Sequence, residues 1–188
     1  DIELLDFCGP FEVFSSLDRD HQPRPFSVFA VAPDAGEIKA ANGLRVLPEH
    51  DFSNCPPIDI LVVPGGVGTR MEMNNLTVIE WIKGVSETAE LTLSVCTGAL
   101  LLARAGLLSG LRATTHLGAI DLLREVAPDT EVVAERRYVD NGNVILSAGI
   151  SAGMDMSLYV ISRLHGIEAA ERTASHMEYD WGCANSFL

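Results

Sequence analysis

Apolar residues along this chain fall into short β-branched runs separated by stretches with helical spacing. Residues 27–32 and 58–63 are two such runs, bounded by proline and glycine, and residues 91–95 are a third. Runs of this kind predict strands buried on both faces. Between the second and third, residues 76–89 place Val78, Ile79, Ile82 and Val85 at helical spacing, with Gly84 weakening the helix. Residues 116–126 and 151–164 predict two more amphipathic helices, the second carrying Met154, Met156, Leu158 and Ile161. Residues 138–140 and 144–146, joined through Asn141, Gly142 and Asn143, predict a hairpin, and Gly43 marks the turn of another. Strands alternating with helices imply an α/β fold, a mostly parallel sheet with helices on both faces. Asp6 to Phe14 reads as the start of a helix with only five residues before it. A doubly wound sheet wants a strand there, so the first strand is expected to be missing from the N-terminus.

Length and charge narrow the classes. The chain has 188 residues, which suits one domain spanning 1–188. It shows no repeat, low-complexity tract or long linker. Its most apolar stretch, 99–111, is interrupted by Arg104, Gly106, Ser109 and Gly110, too broken to span a membrane. The chain opens at Asp1 without a signal-peptide pattern. A net charge of −13 argues against nucleic acid as partner, because phosphate binding needs a basic face. Cys8, Cys55, Cys96 and Cys183 form neither a C-x-x-C pair nor a zinc-spaced cluster. Reduced thiols, a cytoplasmic location and no metal are the resulting expectations.

The candidate chemistry centres on Ser94-Val95-Cys96-Thr97-Gly98-Ala99, where a strand runs directly into a helix. Open α/β sheets build their sites beyond the carboxyl ends of strands, and a strand-to-helix elbow exposes a nucleophile there. A helix N-terminus also favours the thiolate and lowers its pKa. A buried structural cysteine is the competing reading, and position alone does not separate the two. The turn Pro64-Gly65-Gly66-Val67-Gly68 also follows a strand, and its amides, with that of Thr97, are candidates to stabilise developing negative charge. Phosphate-loop and dinucleotide spacings are absent.

Five segments in order carry a resemblance: Leu5-Asp6-Phe7-Cys8-Gly9-Pro10-Phe11-Glu12-Val13-Phe14, Pro64-Gly65-Gly66, Val95-Cys96-Thr97-Gly98, Ala113-Thr114-Thr115-His116 and Gly149-Ile150-Ser151-Ala152-Gly153-Met154-Asp155. The chain resembles the ThiJ/PfpI family of the class I glutamine amidotransferase-like superfamily, and most of all its isonitrile hydratase branch. In that branch an aspartate replaces a glutamate and threonine follows the nucleophile; Met177-Glu178-Tyr179 is similar to it as well. Protease- and chaperone-like members carry histidine after the cysteine, so Thr97 counts against peptidase activity.

The resemblance implies a flavodoxin-like sandwich, a homodimer, a small-molecule substrate and no organic cofactor. It implies that Cys96 attacks an isonitrile to give a thioimidate, and that Asp6 moves protons and Thr97 contributes its hydroxyl and amide. Gly65, Gly66, Thr97, His116 and Ile150 are the implied oxyanion or substrate-binding residues. Without the resemblance, Asp6 reads as a helix N-cap. A Cys–His pair is used by amidotransferase relatives, but in this branch His116 is expected at a pocket wall or in a structural role. His21, His50, His165 and His176 carry no expected function, Cys8 and Cys55 read as core or loop thiols, and Asp155 reads as a complement to a helix dipole. Three rivals remain: the ligand-sensing domain of an AraC-type transcription regulator, glyoxalase- or deglycase-like chemistry on aldehydes, and a redox sensor.

Overall fold

The computed structural model describes residues 1–20 and 22–182, so His21 and Cys183 lie outside the described residues. The central sheet has the spatial order Ile60–Val63, Leu91–Val95, Val144–Ser147, Tyr138–Asp140. The first three strands are parallel, and the fourth pairs antiparallel with the third. Their hairpin turns at Gly142, whose φ of +91° is accessible to a residue without Cβ. All five residues of Leu91–Val95 are buried, as a central parallel strand requires.

Side-chain alternation sorts the sheet into two faces. Leu91, Leu93, Val95 and Ile145 pack with Val13, Phe14, Met156 and Ile161, under the helices Leu4–Ser16, Ala152–His165 and Ile167–His176. Leu61, Val63, Val144 and Leu146 pack with Ile79, Ile82, Leu100 and Leu123, under Leu76–Ser86, Gly98–Arg104 and Ile120–Val126. Each fully buried Leu or Ile contributes about 1.5–3 kcal/mol relative to exposure. This is the expected doubly covered α/β sandwich.

Three expectations need adjusting. Only Val31–Ala32 of the run 27–32 forms a strand, paired parallel with His50–Asp51 in a separate two-stranded sheet. Residues 27–29 have no ladder partner among the described residues, whereas the Ala30 carbonyl accepts the Glu49 and His50 N–H groups; Phe26 and Val28 rest half-buried on the core. The helix expected over 116–126 begins as a single 3₁₀ turn, Leu117–Ala119, before Ile120–Val126, because the His116 imidazole caps the Gly118 N–H and Gly118 weakens the first turn. Ile167–His176 was not expected, since its buried face is made of the small residues Ala169, Ala170, Thr173 and Ala174 and no large apolar stripe announces it. The Gly43 turn is present between Ile38–Lys39 and Arg45–Val46. Among the described residues, no helix is long and apolar enough to cross a membrane.

Candidate active site

The register of the parallel strands builds the site. Val63 lies opposite Ser94 and Ser147 opposite Val95, so the three strands end nearly level. Pro64, Cys96 and Ala148 therefore leave the sheet at the same edge. Cys96 adopts φ 57°, the left-handed region, and so turns the chain from strand to helix within one residue. That conformation costs a non-glycine residue about 1–3 kcal/mol and persists only where the surroundings hold it. Here the Cys96 N–H donates to the Ser147 and Ala148 carbonyls, both at 3.2 Å, and the Thr115 hydroxyl donates to the Cys96 carbonyl at 2.8 Å. Gly98 packs so tightly on the Val63 carbonyl that any Cβ would collide with it.

Asp6 comes from the first turn of Leu4–Ser16 and is completely buried. It is not the N-cap: that position is Glu3, and Asp6 lies one turn further in. Its Oδ2 accepts the Gly65 N–H at 3.0 Å, while Oδ1 has no donor in strict hydrogen-bond geometry. The carboxyl also interacts with the Cys96 thiol, side chain to side chain. Burial pushes the Asp6 carboxyl up to about 6, against the opposing pull of the Gly65 amide and the thiol. Burial, then the negative charge of Asp6, pushes the Cys96 thiol up to about 11, despite the N–H groups of Thr97 and Ile150 on its sulfur. The expected lowering of the thiol by the helix terminus is therefore overruled by desolvation and a neighbouring carboxylate. Between those two values the pair carries one proton and one negative charge.

The amides are arranged differently from the sequence expectation. Gly65 N–H is held by Asp6, and Gly66 N–H donates to Thr97 Oγ1 at 2.9 Å, so neither glycine amide is free for an oxyanion. The Thr97 hydroxyl also donates to the Gly66 carbonyl at 3.0 Å, so it ties the glycine turn and is not directed at substrate. A Cβ on Gly65 would lie 2.5 Å from Thr97 N and 2.8 Å from Asp6 Oδ2, which is why this position is glycine. The amides that reach the sulfur are those of Thr97 and Ile150. Ile150 sits at φ 52°, strained for a β-branched residue, in the turn after Val144–Ser147.

The remaining candidates separate cleanly. His116 accepts the Gly118 N–H through Nδ1 at 3.0 Å and packs its ring on Gly149. It stands at the wall of the Ile150 turn and makes no contact with the sulfur among the interactions that set the thiol's proton affinity. His50 and His165 meet the Phe29 and Phe26 rings edge-on, and His176 ends a helix. Cys8, Cys55 and Cys96 are free thiols. Cys96 is 5% exposed, less open than an elbow nucleophile was expected to be. A separate open cavity of about 470 Å³, lined by Phe11, Arg24 and Phe26 among others, lies away from it. Among the described residues no three His, Cys, Asp or Glu side chains converge as metal ligands. Asp155, expected only to complement a helix dipole, pairs with Arg137 and accepts a hydrogen bond from Tyr179. Arg137 was not singled out from the sequence, since the pair Arg136-Arg137 in a loop carries no pattern that points to Asp155.

The profile of the DJ-1/PfpI family matches residues 1–163. The chain belongs to the DJ-1/PfpI family. It is 34% identical to an isonitrile hydratase of Pseudomonas putida over 95% of this chain and 74% of that protein. It is 31% identical to the HTH-type transcriptional regulator CdhR of Pseudomonas aeruginosa, over 89% of this chain and 49% of the regulator. The chain thus spans about half the length of that regulator. The crystal structure of a ThiJ/PfpI family protein from Pseudomonas syringae superposes with a TM-score of 0.85 at 30% identity, covering 95% of this chain and 71% of that one. The family has both an enzyme and a regulator among these relatives, so membership by itself does not choose between them.

Proposed function

We propose that this DJ-1/PfpI protein is a cysteine-dependent lyase of the isonitrile hydratase type, converting R–N≡C and water into R–NH–CHO. The observation that carries this reading is that the buried Asp6 carboxyl and the Cys96 thiol interact side chain to side chain. In the reactive form of the pair, the proton sits on Asp6 and the Thr97 and Ile150 amides hold the thiolate. The thiolate attacks the terminal carbon of the isonitrile while Asp6 delivers its proton to that carbon, giving the thioimidate S–CH=N–R. The Asp6 carboxylate then takes a proton from water as the oxygen adds to the same carbon, and passes that proton to nitrogen. Breaking the C–S bond expels the thiolate back to its two amides, the hydroxyl proton returns to Asp6, and the formamide leaves.

Steric access supports an isonitrile over an aldehyde. The terminal carbon of an isonitrile bears no substituent and ends a linear group, so it can reach a sulfur that is 5% exposed. Ile150, 36% exposed beside the sulfur, offers apolar surface to the R group. The same reading takes the protein to be a cytoplasmic homodimer acting on a free small molecule.

One second reading has its own observation, the 31% identity to CdhR over most of this chain. There the site would bind a ligand without turning it over. The test is incubation with an aryl isonitrile and chromatographic detection of the N-aryl formamide. Wild-type protein should form it and Cys96→Ala should fall to the uncatalysed rate. Binding without turnover would favour the sensing role.

A further inference from the structure

We propose that Arg137, Asp155 and Tyr179 form a clamp that holds the Ile150 N–H against the sulfur of Cys96, making these three the positioning residues of the nucleophile. The proposal rests on the reading of Cys96 as nucleophile. Residues 148–151 form the turn that carries Ile150, and Arg137 grips both of its ends. Its carbonyl accepts the Ala148 N–H at 2.8 Å, and its Nη2 donates to Ser151 Oγ at 3.2 Å. Its Nε donates to Asp155 Oδ2, in the first turn of the helix that the loop enters. The other carboxylate oxygen, Oδ1, accepts the Tyr179 hydroxyl at 2.9 Å. Tyr179 is itself brought back to this point by a left-handed residue, Glu178 at φ 49°, and is anchored through its N–H to the Ala174 carbonyl at 2.9 Å.

Stability alone is a thin account of this arrangement. The Asp155 side chain is 10% exposed but its partner Arg137 is 51% exposed, and a pair half open to water is screened. The location gives it a purpose. Ile150 pays for its left-handed backbone, and a free turn would relax toward negative φ. Relaxation rotates the peptide that presents the Ile150 N–H, leaving the thiolate with Thr97 alone and with Asp6, itself flanked by Glu3, as its charged neighbour. The clamp fixes the turn before substrate arrives, which is preorganisation of an anion-holding donor.

The test is the alkylation rate of Cys96 by iodoacetamide in the full chain, read on the Cys96 peptide by mass spectrometry from about pH 5 to 9, beside amide exchange at Ile150. Losing one charge-assisted hydrogen bond should lower the thiolate fraction about tenfold, offset in part by higher intrinsic nucleophilicity. Asp155→Asn and Arg137→Lys should therefore alkylate about threefold more slowly across the neutral range, with faster Ile150 exchange. Tyr179→Phe, which removes one hydroxyl, should move both in the same direction by less. Should Asp155→Asn fail to fold, Arg137→Lys and Tyr179→Phe decide the matter. Alkylation profiles that coincide with wild type in folded variants would overturn the proposal. Because iodoacetamide stands in for no natural substrate, slowed alkylation in a protein that ignores isonitriles would uphold the clamp and sink only the hydratase reading.

Discussion

Two turns flank Cys96, one after Ile60–Val63 and one after Val144–Ser147. The first contains Gly65 and Gly66, the residue type that lets backbone amides approach a ligand, yet both amides are occupied by Asp6 and Thr97. The second presents Ile150, a residue ill suited to positive φ, and its amide points at the sulfur. The glycine turn thus holds the Asp6 carboxyl, and the strained turn aims an amide at the Cys96 sulfur. Glycine content reports where backbone comes close; it does not report to what. In the first turn the close partner is protein, because Asp6 Oδ2 and Thr97 Oγ1 fill the space a Cβ would take.

The comparison breaks most visibly at Asp6. Asp6→Asn keeps an acceptor for the Gly65 N–H but cannot carry a proton between sulfur, carbon and water. Isonitrile hydration should fall about 10²- to 10⁴-fold in kcat/KM. Stability should move the other way. The Asp6 carboxyl titrates near 3.8 when unfolded and near about 6 when folded, so the native state holds more protons between those values. Stability from this group is present at acid pH and lost as pH rises through that window, by roughly 3 kcal/mol for the full shift. Denaturant unfolding at neutral pH should find Asp6→Asn more stable than wild type by up to roughly that amount, with the gap closing near pH 4. A variant less stable at both pH values would contradict the burial penalty.

Thr97→Val sharpens the role of the glycine turn. It deletes the hydroxyl that accepts from Gly66 N and donates to Gly66 O but leaves the Thr97 N–H on the sulfur. Leaving buried backbone groups unpaired should cost about 1–3 kcal/mol of stability. Hydration should drop about tenfold through misplacement of the adjacent Asp6 contact. An undiminished rate would show that the turn does not position the carboxyl.

The smallest expected effect tests the other turn. Ile150→Gly retains the N–H and removes the penalty of φ 52°. Stability should change by no more than about 1 kcal/mol, since relief of strain opposes the added freedom of the unfolded chain. Cys96 alkylation at neutral pH should stay within about threefold of wild type. A larger loss would mean that the sec-butyl side chain, and not the amide, is what matters.

Much of this was legible in the sequence, and the gaps have physical causes. Leu91–Val95 was delimited to the residue because Leu91, Leu93 and Val95, with only the small Thr92 and Ser94 between them, run straight into the Cys96-Thr97-Gly98 turn. The left-handed elbow at Cys96 and the approach of Asp6 followed from strand-to-helix succession and the resemblance. The destination of the Gly65 amide was not legible, since it depends on a carboxylate 59 positions away. The direction of the thiol shift was misjudged because helix position is a sequence property while desolvation is a property of the folded core. Arg137 and Tyr179 meet through Asp155 from three separate segments, with no periodicity to announce them.

The central claim is that Cys96 and Asp6 share one proton through neutral pH, and the pH dependence of Cys96 alkylation in wild type tests it most directly. The form with the proton on Asp6 is a fixed share of the singly protonated pair. Where it supplies the thiolate, the rate should rise to a plateau as pH passes about 6 and stay level through neutral pH, until direct ionisation of a thiol pushed up to about 11 adds to it. Asp6→Asn should abolish that plateau. A wild-type rate that instead climbs about tenfold per pH unit through the neutral range, as an isolated thiol's would, contradicts the account.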